Sequence, residues 1–458
     1  MEVDKKIIEK YDRPGPRYTS YPPANLFRED LGEKDYLEVV RRSNKEGLKG
    51  ISLYVHVPFC PRLCYFCGCN TQLGNDEAFI RRYFDAVLKE TDRIAAHIDR
   101  DRPVTQIHWG GGTPNSVEWA LIGKVMDRFN HHFRISGDAE IAMECSPAYL
   151  DLADIDVMTG MGFNRISIGI QDFNESVLRI IHRLPSKLPV EELVRHIRAT
   201  SRAGINFDFV YGLPGQTQEG YLDTLKRAAS MKPDRMVTFS YAHVPWIKNN
   251  QKILEKTGIP GPGQKLDMLL GGYSYLTDEG YDPVGMDHFA LPGDEMAEAF
   301  RNNLLHRNFQ GYCTMKHTGQ VYAFGASSIS QLHQAYFQNT RTADSYIQRI
   351  ENSGLATDRG YILNEEEKVV RSVINQVMCN GALDLNAEAI KLGLELSALK
   401  EILDYSEEKF KELENDGLII LGRDRIKATP EGMLLIRVLA RKLDPCYESY
   451  RKSFSRTI

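Results

Sequence analysis

The chain has 458 residues, 42% hydrophobic and 26% charged, a composition that excludes disordered, collagen-like and disulfide-stapled classes and fits two to four globular domains. With 57 Lys and Arg against 62 Asp and Glu the net charge is −5, which argues against a protein whose main work is coating nucleic acid. The N-terminal MEVDKKIIEKYDRPG has no apolar core and no apolar run reaches about 18 residues, so neither a signal peptide nor a membrane span is expected, and the cytoplasm is the expected location.

Residues 1–48 read as an arm. Its PGPRYTSYPP segment, Pro14 to Pro23, cannot be a regular helix. It is either a surface leader or a lid that brings Arg17 and the tyrosines over a pocket. From 50 to about 245, six β-branched or aromatic runs recur: 51–57, 105–110, 139–144, 164–170, 205–212 and 235–242. Amphipathic stretches such as 78–98 and 190–204 lie between them, which is the rhythm of βαβ units in a parallel sheet or partial barrel. Ligands in such sheets sit at the carboxyl ends of the strands. Polar and glycine residues gather there: four cysteines after the first run, Gly110 to Pro114 after the second, Glu144 and Gln171 closing the third and fourth, Asp208 within the fifth, and the sixth ending in Tyr241 to Pro245. Residues 262–355 are less regular, with a helix expected over 263–280. From 364 onward helices and a hairpin over 417–430 suggest a winged-helix-like cap, in which Asp and Glu outnumber Lys and Arg. The domain boundaries expected are 1–48, 49–355 and 356–458.

Cys60-x3-Cys64-x2-Cys67-x-Cys69 is the sharpest local signal. A structural zinc would call for a second Cys or His pair, and none follows. A cubane iron–sulfur cluster takes one thiolate per iron, and C-x3-C-x2-C offers three. The fourth iron is then open to the amino and carboxylate groups of S-adenosylmethionine, whose reductive cleavage gives a hydrogen-abstracting 5′-deoxyadenosyl radical. Cys69 either closes the site as a fourth ligand through a strained turn or is a non-ligand, and the reading takes it as a non-ligand. Glycines after the second run let backbone approach a ligand closely. Tyr54 and His56 are either core residues of the first strand or groups that pack on a cofactor and bond a substrate carboxylate. Glu144 is a solvated tip or an acceptor for an amine or ribose. Asp208 is costly in an apolar strand unless partnered, with Arg183 one candidate.

At these residues the sequence resembles the radical S-adenosylmethionine superfamily and, within it, the family of oxygen-independent coproporphyrinogen III oxidases. The matching segments are PGPRYTSYP (14–22), LYVHVPFCPRLCYFCGCN (53–70), HWGGGTP (108–114), ISIGIQDFN (166–174), FDFVYGLPGQT (207–217), YAHVP (241–245), GMDHFA (285–290), LHRNFQGY (305–312), GASSIS (325–330) and the helical tail. The resemblance implies an α/β partial (β/α)6 barrel with an N-terminal arm and a mainly helical, winged-helix-like C-terminal domain. It implies a [4Fe–4S] cluster on Cys60, Cys64 and Cys67, and two S-adenosylmethionine molecules. One would meet Tyr54, Gly111, Glu144 and Ile329; the other Phe66, Gly112, Thr113, Gln171, Arg183, Asp208 and Ala242. The implied reaction converts two propionates of coproporphyrinogen III to vinyl groups. Tyr54, His56 and Gln310 are the expected catalytic residues, and Arg17, Arg307 and Phe309 the expected substrate contacts. The expected partners are the porphyrinogen and a low-potential donor such as flavodoxin or ferredoxin, with no nucleic acid or membrane and a monomeric chain. A haem-binding chaperone, a radical methyltransferase that opens haem and a winged-helix regulator are the competing readings; PGPRYTSYP and HRNFQGY argue against the chaperone.

Overall fold

A computed structural model describes residues 5–47, 49–74 and 76–450, which fall into two compact units. The first comprises 27–261 and 316–362. Its centre is a parallel sheet of β1 (Ile51–Val57), β2 (Pro103–Gly111), β3 (Arg134–Cys145), β4 (Arg165–Gln171), β5 (Gly204–Tyr211), β6 (Arg235–Ser240) and β7 (Gln320–Phe324). The spatial order is β7-β1-β2-β3-β4-β5-β6, and every neighbouring pair is parallel. All six strands expected from sequence are present and adjacent in chain order, as βα repetition dictates. The seventh, QVYAF, lies within the stretch read as irregular. It pairs with β1 through Leu53↔Tyr322 and is buried along its whole length. Beyond it, β8 (Ile329–Gln331), β9 (Ala335–Asn339) and β10 (Thr357–Ile362) extend the sheet antiparallel.

The helices that cover this sheet carry the expected amphipathic stripes. Glu77–Ala95 begins at Asp76, whose carboxylate accepts from the Phe79 N–H, and it buries Tyr83, Phe84, Val87 and Ile94. This helix also fixes the site end of the sheet. The Tyr83 hydroxyl donates to the His56 carbonyl at 2.7 Å and accepts from the Ala326 N–H at 2.8 Å. One turn and more along, buried Glu90 accepts from Gly325 N–H, Asn339 Nδ2 and the Tyr346 hydroxyl. Burial outweighs those donors and pushes its carboxyl up to about 7.

The second unit gathers the described residues up to Leu26, residues 262–315, and the described residues from Leu363 onward. Residues 262–315 therefore share a core with described residues near both ends of the chain, whereas the expected boundaries group them with the barrel. The helix Glu365–Asn380 packs Val370, Val373, Ile374 and Val377 with Leu399, Phe410 and Leu439. The expected hairpin is present as Ile419–Gly422 and Arg425–Ala428, and Ala382–Asp384 completes a three-stranded sheet. The N-terminal segment is anchored by polar contacts: Arg437 Nε donates to the Pro16 carbonyl at 3.0 Å, and the Tyr18 and Tyr21 hydroxyls donate to Asp444 at 2.9 and 3.3 Å.

Candidate active site

The cysteine loop leaves the end of β1 and returns through a short parallel ladder, Phe59↔Gln72 and Cys60↔Leu73. Its floor is the chain after β2. Gly112 N–H donates to Val57 O at 2.7 Å and Thr113 N–H to Phe59 O at 2.9 Å. A Cβ on Gly112 would stand 2.6 Å from Phe59 O, so the loop reaches its place only because that residue is glycine. Gly111 has φ +112, which disfavours any side chain as well.

The loop and the strand ends enclose a cavity of about 180 Å³. Of the residues expected in the site, Cys60, Cys64, Cys67, Phe66, Gly111, Gly112, Thr113, Glu144, Gln171, Arg183 and Asp208 all line it, and Cys69 lies on its wall. Ala242 follows β6, and its carbonyl accepts from Gln251 Nε2 at 3.2 Å. Ile329 opens β8. Arg17, Arg307, Phe309 and Gln310 belong to the other unit.

The charged groups are preorganised. Glu144 receives Gly111 N–H at 3.2 Å and pairs with His108 Nε2 at 3.1 Å. Burial pushes Glu144 up, but the His108 hydrogen bond and charge win and hold its carboxyl below the usual range. The same pairing, working against burial, raises His108. Asp208 is held by Ser167 Oγ at 2.7 Å and Asn206 Nδ2 at 2.9 Å. Arg183 donates to the Gly169 carbonyl and lies 3.8 Å from Cys64 Sγ.

Gln171 sits where the β4–β5 register shifts and has φ +66, a conformation a non-glycine residue adopts at a cost. Its buried Oε1 has no hydrogen-bond partner, and neither does Asn206 Oδ1. On β1 the Tyr54 ring stacks on His108 at 5.9 Å. His56 Nε2 lies 2.9 Å from the Asn70 carbonyl and so carries the proton, which leaves Nδ1 to accept from the Tyr54 hydroxyl at 3.1 Å. Burial lowers the His56 imidazole and keeps it neutral.

Burial pushes the Cys60 thiol up to about 11 and raises Cys64. Cys67 falls to about 6, drawn down by its hydrogen bond from Cys69 and by Lys248 and Arg183, while Cys69 rises. Among the described residues no three His, Cys, Asp or Glu side chains gather as a single metal ion requires. Three cysteines around one cavity, beside a glycine edge and an unpartnered Gln171 oxygen, fit a cluster that spreads its thiolates over separate irons and a polar ligand beside it.

Sequence reasoning missed the residues that hold the loop. Asn250 Nδ2 donates to the carbonyls of Cys64, Tyr65 and Cys67 at 3.2, 3.1 and 3.3 Å. Gln251 Nε2 donates to Phe66 O at 2.9 Å and Lys248 Nζ to Cys69 O at 2.7 Å. On the other side His182 Nδ1 donates to Leu63 O at 2.9 Å and its ring stacks on Tyr65 at 4.6 Å.

Residues 54–228 match the model of the radical SAM superfamily. The oxygen-independent coproporphyrinogen III oxidase of Escherichia coli is 39% identical over 100% of this chain and 97% of its own length. The chain belongs to the oxygen-independent coproporphyrinogen III oxidase family. The family member from Synechocystis is 35% identical over 100% of this chain and 98% of its own length. The solved structure of the Escherichia coli coproporphyrinogen III oxidase, described as a radical SAM enzyme, superposes with a TM-score of 0.89 at 37% identity, covering 97% of this chain and 99% of that one. As a family member the chain is an oxidoreductase that uses a [4Fe–4S] cluster and S-adenosylmethionine. No helix among the described residues is long and apolar enough to cross a membrane.

Proposed function

We propose that the chain converts two propionates of coproporphyrinogen III to vinyl groups by oxygen-independent oxidative decarboxylation, giving protoporphyrinogen IX in porphyrin biosynthesis. The observation that carries this reading is the convergence of Cys60, Cys64, Cys67, Glu144 and Gln171 on one cavity in a chain related over its full length to oxidases of that name. Cys60, Cys64 and Cys67 hold the cluster, and Cys69 stays outside it. When bound, the reduced cluster would supply one electron to the sulfonium of S-adenosylmethionine, whose S–C bond would break to methionine and a 5′-deoxyadenosyl radical able to take hydrogen from a propionate β-carbon.

The chain's own residues position and shield. Glu144, kept ionised by His108, accepts the ammonium of a first S-adenosylmethionine, with Tyr54, Gly111 and Ile329 around it. Gln171, Asp208 and Arg183, with Phe66, Gly112, Thr113 and Ala242, receive a second, and the unpartnered oxygen of cavity-lining Gln171 supports a polar guest there. Neutral His56, fixed through both ring nitrogens by Tyr54 and Asn70, brings no charge to the site. Arg307 is buried, with Nη1 on the Arg17 carbonyl at 2.8 Å, its guanidinium 4.9 Å from the Tyr312 ring centroid and its Nε unpartnered. Arg17 and Arg307 receive substrate carboxylates, with Phe309 and Gln310 beside them; the buried Gln310 Oε1 also has no partner. The chain works as a cytoplasmic monomer fed by a low-potential carrier.

The test is anaerobic turnover. Cluster-loaded protein with reductant, S-adenosylmethionine and coproporphyrinogen III is expected to release carbon dioxide, 5′-deoxyadenosine and a divinyl product. Stoichiometric haem binding with no vinyl product would contradict the proposal.

A further inference from the structure

The segment that clasps the cysteine loop also has an outer face. After β6 the chain turns at Pro245–Ile247 and enters a 3-10 helix, Asn249–Lys256. Such a helix repeats every three residues, so three rows run along it. Gln251 and Leu254 form the buried row. Asn250, Ile253 and Lys256 form the second, and Asn249, Lys252 and Glu255 the third. Asn250, at the root of the second row, is the residue bonded to the Cys64, Tyr65 and Cys67 carbonyls. The rest of these two rows faces solvent.

This face is unusually apolar for an exposed surface. Trp246 is 71% exposed, Ile247 67% and Ile253 50%. It is also cationic. Lys252 and Lys256 are exposed and Lys248 lies against Cys69 O, while the one carboxylate in the segment, Glu255, stands 3.5 Å from His243. Exposed Arg62 and Leu63 of the cysteine loop repeat that mixture of cation and hydrophobe. The surface is thus one hydrogen bond from the backbone of the cluster ligands. It presents a large exposed aromatic residue and two exposed lysines within one short segment, in a chain of net charge −5.

We infer that Trp246, Ile247 and Ile253, with Lys252 and Lys256, form the docking surface for an acidic one-electron carrier protein that reduces the cluster. The inference rests on the cluster reading above. In the step the carrier is oxidised by one electron and the cluster reduced by one; no bond is made or broken. Apolar contact gives residence, and the lysines give a fast, salt-sensitive encounter with an acidic partner.

The test uses the full chain and flavodoxin hydroquinone under anaerobic conditions. The variants are the pair Trp246→Ala with Ile247→Ser, and the pair Lys252→Glu with Lys256→Glu. Stopped-flow cluster reduction by flavodoxin is expected to slow at least about ten-fold in each, and added salt should slow the wild type more than the lysine variant. Dithionite reduction and the spectrum of the reduced cluster should be unchanged. Flavodoxin affinity, measured separately on chain without cluster, should weaken in the same variants. Wild-type rates and affinities in both variants would overturn the surface. So would loss, in the Trp246 variant, of binding to anionic vesicles or of self-association with flavodoxin reduction intact. If no cluster assembles, the underlying reading fails, and the flavodoxin affinities still decide the surface.

Discussion

Glu144 and His108 show how the site keeps a charge in a partly buried cleft. A carboxylate removed from water rises in pKa unless a charge or donors oppose it, and here the imidazole and the Gly111 N–H reverse the effect of burial. A folded value below the ordinary 4.5 means that the carboxylate is present at neutral pH and is lost only as pH falls through the depressed value. Affinity for S-adenosylmethionine should therefore stay flat from neutral pH down to the ordinary carboxylate range and fall below it. Glu144→Gln keeps the shape and removes the charge. Equilibrium binding to the cluster-loaded variant should weaken by about 10- to 100-fold, the value of roughly 1.5–3 kcal/mol for a hydrogen bond to a charged group. An unchanged affinity would remove Glu144 from the binding role.

The cysteine loop is an element with little regular structure of its own, so its shape depends on partners for its carbonyls. Asn250 supplies three of those partnerships through one nitrogen. Asn250→Ala should make the cluster labile: iron loss to a chelator should quicken severalfold and the cluster's midpoint potential should move, while loss of stability stays within about 1–3 kcal/mol. Unchanged retention and potential would reduce Asn250 to a surface contact.

The strands that carry the site were legible because each is a short β-branched run with a polar residue at its carboxyl end. The cysteines, Glu144 and Gln171 stand out for that reason, and Asp208 because a carboxylate inside an apolar strand needs a partner. Asn250 and Gln251 were not legible, because bonding to backbone carbonyls leaves no spacing signal. Nor was β7: QVYAF is buried on both faces and shows no alternation, and it pairs with β1 across more than half of the chain. In the sequence His108 stands only within the HWGGGTP motif; its hydrogen bond with Glu144 spans two strands, which one strand's pattern does not contain.

At the scale of the molecule, each unit is closed by long-range contacts rather than by chain neighbours. In the unit that holds the termini, Asp444 gathers the hydroxyls of Tyr18, Tyr21 and Tyr450. Removing that acceptor takes a hydrogen bond from each of three buried hydroxyls. Asp444→Ala should cost about 2–4 kcal/mol in denaturant unfolding and open the PGPRYTSYPP segment to limited proteolysis. A protease-resistant variant of native stability would show that the apolar contacts of Tyr18 and Tyr21 suffice. The rationale for 262–315 joining this unit also lies at this scale: Arg307 reaches the Arg17 carbonyl across 290 residues, a contact no local pattern announces.

Under the proposal above, Cys60, Cys64 and Cys67 alone ligate the cluster and leave one iron for S-adenosylmethionine. Electron-nuclear double resonance probes that iron, on the reduced, cluster-loaded protein with S-adenosylmethionine labelled with nitrogen-15 at the amino group and oxygen-17 at the carboxylate. Hyperfine coupling to both labels is expected, preserved in Cys69→Ala, with no cluster in Cys64→Ala. A four-iron cluster that shows no coupling to either label, or that is lost in Cys69→Ala, would contradict it.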